Sequence, residues 1–220
     1  TGNVKFDIAA PVDQLDLGKV LKARCGERMI WLAASTREGE EALILDAWKL
    51  HRAKVGAGEA ALLIFVPRHP QRFDEVARSA AARDFEVQRR SENSSIAAST
   101  DVLIGDSMGE MFAWYACADL AFIGGSLLDF GSQNLIEAAA CGTPILIGPS
   151  TRNFAEAARE AVACGAARTI FDADELVSQV NVLLADANGR QRMALAGRGF
   201  AKRHRGATAR TMEMIIPAAR

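Results

Sequence analysis

With 220 residues, 50% of them hydrophobic and 24% charged, the chain has the make-up of one large globular domain and lies far from the disordered range. A formal net charge of -1 gives no field that would draw in DNA or RNA, so no nucleic-acid partner is expected. No run reaches the roughly 18 to 20 uninterrupted apolar residues of a membrane span and no charged-then-apolar leader opens the chain, so any membrane contact is expected to be peripheral.

Thr1-Gly2-Asn3-Val4-Lys5-Phe6-Asp7 is polar, linker-like and without an initiator Met, which suggests a piece of a longer protein. From there short apolar runs take turns with longer amphipathic segments. Met29 to Ala34 reads as a strand, followed by a helix near Glu38 to Lys54; Ala61 to Val66 as a strand, followed by a helix near Gln71 to Arg83. The strand Val102 to Gly105 precedes a helix Gly109 to Cys117, and Leu120 to Ile123 precedes a helix Ser132 to Cys141. Pro144 to Ile147 leads to a helix Asn153 to Cys164, Ala167 to Ile170 leads to a helix Ala173 to Asp186, and Arg190 to Met214 supplies one or two closing helices. The basic cluster Lys202, Arg203, His204 and Arg205 reads as a solvated helix end.

Strand and helix in alternation predict an α/β fold with a doubly wound parallel sheet, one domain over 1–220. Right-handed crossovers then bring the loops after the strands to one rim, where ligands of such sheets bind. Cys25, Cys117, Cys141 and Cys164 stand singly in apolar runs, without metal or disulfide spacing, and read as buried thiols of a reducing compartment.

The unusual residues collect on that rim. Neither Gly-x-x-x-x-Gly-Lys-Ser/Thr nor a Gly-x-Gly-x-x-Gly opening a helix is present, which removes P-loop ATPases and standard dinucleotide domains. What remains are Gly-rich turns before helices, Ser107 to Glu110 and Gly124 to Ser126. They are candidates for anion binding or for simple chain reversal. Arg68, between two prolines, sits on a stiff support and suits a phosphate or carboxylate, or a neighbouring acid. His69 beside it suits a hydrogen-bonding partner or a loop-packing role. Asn134 and Glu137, three apart, would share one face of a helix and could meet ribose hydroxyls or a phosphate edge; dipole chemistry explains Glu137 equally well. Glu40 and Glu41 read as helix-start acids, with Glu38 open.

Taken in order, these loops resemble the Kdo (3-deoxy-D-manno-octulosonic acid) transferase family of lipopolysaccharide synthesis, from Thr1 to about Ile216. The residues that carry the resemblance are Thr1 to Asp7, Ala34-Ser35-Thr36-Arg37-Glu38-Gly39-Glu40-Glu41, Val66-Pro67-Arg68-His69-Pro70-Gln71-Arg72-Phe73, Gly105-Asp106-Ser107-Met108-Gly109-Glu110-Met111, Gly124-Gly125-Ser126 and Gln133-Asn134-Leu135-Ile136-Glu137. The resemblance implies the Rossmann-like C-terminal half of a two-domain GT-B glycosyltransferase. That half binds the donor CMP-Kdo, and the full protein passes Kdo to a lipid A precursor at the cytoplasmic face of the inner membrane. It further implies inversion, no metal or cofactor, and a carboxylate base in an N-terminal acceptor domain outside this chain, so the piece alone would be inactive.

Donor-site roles implied by the same resemblance fall on Ser35, Arg68, His69, Ser107, Met108, Gly109, Glu110, Gly124, Gly125, Ser126, Asn134 and Glu137. Arg68 would hold phosphate or sugar carboxylate, the backbone near Met108 to Glu110 would line the cytidine and phosphate site, Gly124 to Ser126 would allow close approach, and Asn134 with Glu137 would meet phosphate and ribose. Two positions depart from the family pattern, which has a His in the loop Leu127 to Ser132, where Phe130 stands, and another at Arg37. Two other readings stay open: a UDP- or GDP-sugar transferase or sugar-nucleotide epimerase of the same fold, and a Rossmann-like module without enzymatic function.

Overall fold

The computed structural model describes residues 9–55 and 61–204, the side chains of Val55 and His204 excepted. The segment Thr1 to Asp7, Arg205 and the expected helix beyond 204 lie outside the described residues. A helix α1 (Val12–Arg24) opens the fold where the sequence shows no helical signal, because its apolar residues keep no single face. There follow β1 (Ile30–Thr36), α2 (Glu40–Val55), β2 (Leu62–Pro67), α3 (Phe73–Ala81), β3 (Val87–Arg89), β4 (Val102–Ile104) and α4 (Met111–Cys117). The second part runs β5 (Leu120–Ile123), α5 (Ile136–Cys141), β6 (Ile145–Ile147), α6 (Ala155–Ala163), β7 (Ala167–Thr169), α7 (Ala173–Ala185) and α8 (Ala187–His204).

The seven strands form one sheet in the order β3-β4-β2-β1-β5-β6-β7, and every pairing is parallel. This is the doubly wound, Rossmann-like arrangement. The short polar edge strand β3 escapes an apolar-run reading because none of its three residues is fully buried.

Alternation along each strand divides the core between the two faces of the sheet. Ile30, Leu32 and Ala34 of β1 pack with residues of α1, α4, α5 and α6, while Trp31 and Ala33 pack with residues of α2, α3 and α7. Buried on both faces, β2 is an unbroken apolar run, as parallel central strands are. Helix α7 starts where Asp172 accepts from the Glu175 nitrogen at 2.8 Å while Glu175 accepts from the Phe171 nitrogen at 2.8 Å, a reciprocal cap.

Several expected helices start late, and three of them show a local reason. Gly109 has φ +77°, outside helical space, so α4 begins at Met111. Ser132 has φ +64°, so α5 begins at Ile136 and Asn134 precedes it. Pro70 opens a 3-10 turn, Pro70–Arg72, ahead of α3. Of the cysteines, Cys25 and Cys117 are buried but Cys141 and Cys164 are only half-buried, and all four are free.

Candidate functional site

From β1 the chain moves to β2, on to the edge strand β3 and back to β4 between them, then returns to place β5 on the other side of β1. Sheets of this kind leave a crevice at the carboxyl ends of the strands where the winding reverses. A cleft of about 250 Å³ lies there. Its lining includes Ser35 near the end of β1, Arg68 after β2, Ser107, Met108, Gly109 and Glu110 after β4, and Asn134 and Glu137 after β5.

His69, Gly124, Gly125 and Ser126, also expected in the site, do not line this cleft. His69 is exposed. The Gly-Gly-Ser turn is a tie within the protein. A Cβ on Gly124 would stand 2.5 Å from the Ser35 carbonyl oxygen and 2.7 Å from that of Ala34, so it is β1, rather than a ligand, that approaches closely there. The Gly125 nitrogen donates to Glu40 Oε2 at 2.7 Å, the Leu127 nitrogen to Glu40 Oε1 at 3.0 Å and the Arg37 nitrogen to Oε2 at 2.8 Å. An internal carboxylate therefore fills the anion position that the turn offers. The Ser126 hydroxyl donates to the Ile123 carbonyl and accepts from the Gly148 nitrogen at 2.8 Å, joining β5 to β6.

Glu40 and Glu41 do open α2, but each also makes specific contacts beyond helix-start electrostatics. Both are buried. Burial pushes the Glu40 carboxyl above its ordinary pKa against the pull of the backbone N–H groups. Glu41 accepts from Thr36 Oγ1 at 2.9 Å and Arg72 Nη2 at 3.0 Å, and burial raises it as well. Glu38 is exposed and outside the cleft lining.

Within the cleft, Ser35 interrupts the β1–β2 register between Ala34 and Thr36 and has φ +54°, a left-handed conformation uncommon for a residue with a side chain. Among the described residues its hydroxyl finds only Met111 Sδ, at 3.5 Å. Glu110 is committed to its own loop, accepting from Ser107 Oγ at 2.6 Å and from Arg90 Nη2 at 3.2 Å. Met108 and Gly109 line the cleft beside it.

Asn134 Oδ1 accepts from the Ile136 nitrogen at 3.0 Å and Nδ2 donates to Glu137 Oε1 at 3.0 Å. The two side chains meet as their spacing predicts, although Asn134 precedes the helix. Burial raises the Glu137 pKa, with the Asn134 hydrogen bond and the Arg68 charge pulling it back. Tyr115 beneath it is held well above its ordinary value by burial, then by Glu137 and Cys141. Burial, with Glu137 second, pushes the Cys141 thiol up to about 12, which leaves it a poor nucleophile.

Arg68 is exposed. Neighbouring cations are paired, Arg72 with Glu41 and Arg90 with Glu110, while Arg68 has no ion-pair partner among the described residues. Gln133, Met111, Trp114 and Tyr115 also line the cleft. They were not foreseen as site residues: Gln133 is one polar residue among several in its loop, and the other three read as the apolar side of α4. Outside the lining, the Arg37 guanidinium lies 4.7 Å above the Phe130 ring, so the two positions that depart from the family pattern touch each other. Among the described residues no group of three or more His, Cys, Asp or Glu side chains could hold a metal ion.

No family model matches the chain. A 3-deoxy-D-manno-octulosonic acid transferase of Bordetella pertussis is 44% identical over 216 residues, covering 98% of this chain and 50% of that protein. One of Haemophilus influenzae is 38% identical over 221 residues, 99% of this chain and 51% of that protein. The chain thus spans about half the length of the curated relatives it matches. The crystal structure of the C-terminal CMP-Kdo binding domain of WaaA from Acinetobacter baumannii superposes with a TM-score of 0.80 at 30% identity, covering 86% of this chain and 98% of that domain.

Proposed function

This chain belongs to the 3-deoxy-D-manno-octulosonic acid transferase family, and on that premise we propose that its cleft binds the donor CMP-Kdo for transfer of Kdo to a lipid A precursor. The observation that carries this reading is the pairing, in one cleft, of an unpaired guanidinium, Arg68, with a half-buried carboxylate, Glu137. A nucleoside monophosphate ester offers a matching phosphate and ribose. Met108 and Gly109, which also line the cleft, would flank the base.

In the proposed reaction an acceptor hydroxyl attacks the anomeric carbon of Kdo, the bond from that carbon to the phosphate oxygen breaks, and CMP leaves. Negative charge gathers on the departing phosphate, and the Arg68 guanidinium there lowers the barrier. The hydroxyl proton goes to a carboxylate base that this reading places in the other half of the full-length protein, as it does the acceptor site. Attack opposite the leaving group inverts the anomeric centre. Neither metal nor cofactor enters this reading, since Arg68 is the cation it assigns to the phosphate.

The full-length protein would then work at the cytoplasmic face of the inner membrane, where such an acceptor is presented. No described helix is long and apolar enough to cross a membrane, which is compatible with peripheral attachment. Thermal shift with CMP, UMP and GMP tests the donor assignment, since a ligand of the folded state raises the melting temperature by mass action. CMP should give the largest shift, unchanged by EDTA. Equal shifts for all three nucleotides would contradict the cytidine assignment, and a larger one with UDP would favour a UDP-sugar transferase.

A further inference from the structure

We propose that Arg37, backed by the ring of Phe130, forms a second anion subsite at the edge of the cleft and takes the carboxylate of the donor's acidic sugar, while Arg68 takes the phosphate. This rests on the donor-site reading above.

The guanidinium carbon of Arg37 sits 4.7 Å from the Phe130 ring centroid, so the ring lies against the cation and restricts where it can go. Such a contact leaves the in-plane N–H edge for an oxygen ligand, and a guanidinium presents that edge as a fork matching the two oxygens of a carboxylate. The ring rests on a loop that is held in place. The Phe130 nitrogen donates to the Leu128 carbonyl at 2.8 Å, Asn153 Nδ2 donates to the Phe130 carbonyl at 3.0 Å, and the Gly131 nitrogen donates to Ser150 Oγ at 2.9 Å.

Position links this cation to the cleft. A Cβ built on Gly125 would be 3.5 Å from Arg37 Cγ and 3.2 Å from Gln133 Nε2, and Gln133 lines the cleft, as does Ser35 two residues before Arg37. Charge supplies the remaining step. The neighbouring rim arginines Arg72, Arg90 and Arg152 are each paired with an acid. Arg37 and Arg68 have no carboxylate partner among the described residues. CMP-Kdo brings two separate anions, a phosphate diester and a sugar carboxylate, to a rim where Arg37 and Arg68, among the described residues, have no acid partner.

The experiment is calorimetric titration of this chain and its Arg37→Ala, Arg37→Lys, Phe130→Leu and Arg68→Ala variants with CMP and with CMP-Kdo. The parent should bind CMP-Kdo more tightly than CMP. Arg37→Ala should leave CMP affinity within about twofold and weaken CMP-Kdo roughly tenfold or more, the size of one charge-assisted contact. Arg37→Lys should recover part of that loss, and Phe130→Leu should show a smaller one. Arg68→Ala should weaken both ligands.

Equal loss of CMP and CMP-Kdo in Arg37→Ala overturns the carboxylate subsite, as does no loss of either. A parent that binds CMP but does not prefer CMP-Kdo also overturns it while leaving the donor-site reading intact. If the parent binds neither ligand, both readings fall. Should Arg37→Ala unfold, the Arg37→Lys and Phe130→Leu titrations decide: unchanged preference for CMP-Kdo in both overturns the subsite.

Discussion

The Glu40 carboxylate lies 2.7 Å from the backbone nitrogen of Gly125, 85 residues away in sequence, and so fastens the start of α2 to the turn after β5. Both carboxylate oxygens are in use, one by Gly125 and Arg37 and the other by Leu127. A glutamine has one acceptor oxygen, so Glu40→Gln must turn an NH2 group towards a buried N–H. We expect a loss of about 1 to 3 kcal/mol, the cost of a buried polar group left unsatisfied, read as a lower urea midpoint with an unchanged slope. A midpoint equal to the parent's would show the tie to be dispensable.

Gly124 and Gly109 make a contrasting pair. Alanine at 124 would put Cβ 2.5 Å from the Ser35 oxygen and 2.6 Å from Thr36 Cα, and backbone atoms cannot swing aside. Gly124→Ala should cost about 1 to 3 kcal/mol through overpacking and displace Ser35 from the cleft wall. Gly109→Ala meets nothing within 4 Å and is opposed only by its φ of +77°, about 1 to 2 kcal/mol. Melting temperatures with and without CMP separate the two. Gly124→Ala should lower both stability and binding.

Arg68→Ala should weaken CMP roughly ten- to a hundredfold, corresponding to a charge-assisted contact of about 1.5 to 3 kcal/mol. Since the residue is exposed, its stability should shift by under about 0.5 kcal/mol. Loss of its charge also removes one of the two influences that hold the Glu137 carboxyl down, so in this variant Glu137 should titrate at still higher pH, measurable by carboxyl carbon NMR. Unchanged CMP affinity would misplace the phosphate.

The direction of the Glu137 shift fixes the sign of a pH effect. Its carboxyl is raised above the ordinary 4.5, so the unfolded chain loses this proton first as pH rises. The stability this group contributes is fully present below the unfolded value and is lost as pH climbs through the folded one. Glu137→Gln lacks that loss, so its stability relative to the parent should improve from about pH 4.5 upward. Binding should move the opposite way: the parent loses ribo-CMP affinity as acid protonates Glu137, and the variant binds ribo-CMP weakly throughout, with a smaller deficit for deoxy-CMP. A parent whose CMP affinity is flat across that range would deny Glu137 its ribose role.

The parallel sheet and the rim that carries the cleft were legible because six of the strands are short apolar runs between turn residues, and because chemistry-bearing residues followed them. Arg68 and the Asn134–Glu137 contact could be read from a stiff loop and a three-residue spacing. The Gly-Gly-Ser turn could not. Sequence shows that a turn has N–H groups to offer, but the carboxylate that takes them, Glu40, comes from 85 residues upstream. Helix α1 was lost for lack of apolar periodicity, and β3 because an exposed edge carries no apolar run. The Arg37–Phe130 contact joins loops after different strands, and no spacing rule spans that distance.

The seam between β1 and β5, where the cleft sits, joins Trp31 to Leu120 and Ala34 to Ile123. A chain leaving the ribosome has β1, β2 and β4 available well before β5 emerges. Until then one side of the central strand carries unpaired amide and carbonyl groups flanked by Trp31, Leu32 and Ala33, all buried in the finished fold. Such an edge is a template for pairing with another chain. The seam that creates the cleft is thus also an open edge during synthesis, and holding the chain at a length where β2 has left the ribosomal exit tunnel but β5 is still inside should lower the soluble yield more than holding it after β5 has emerged.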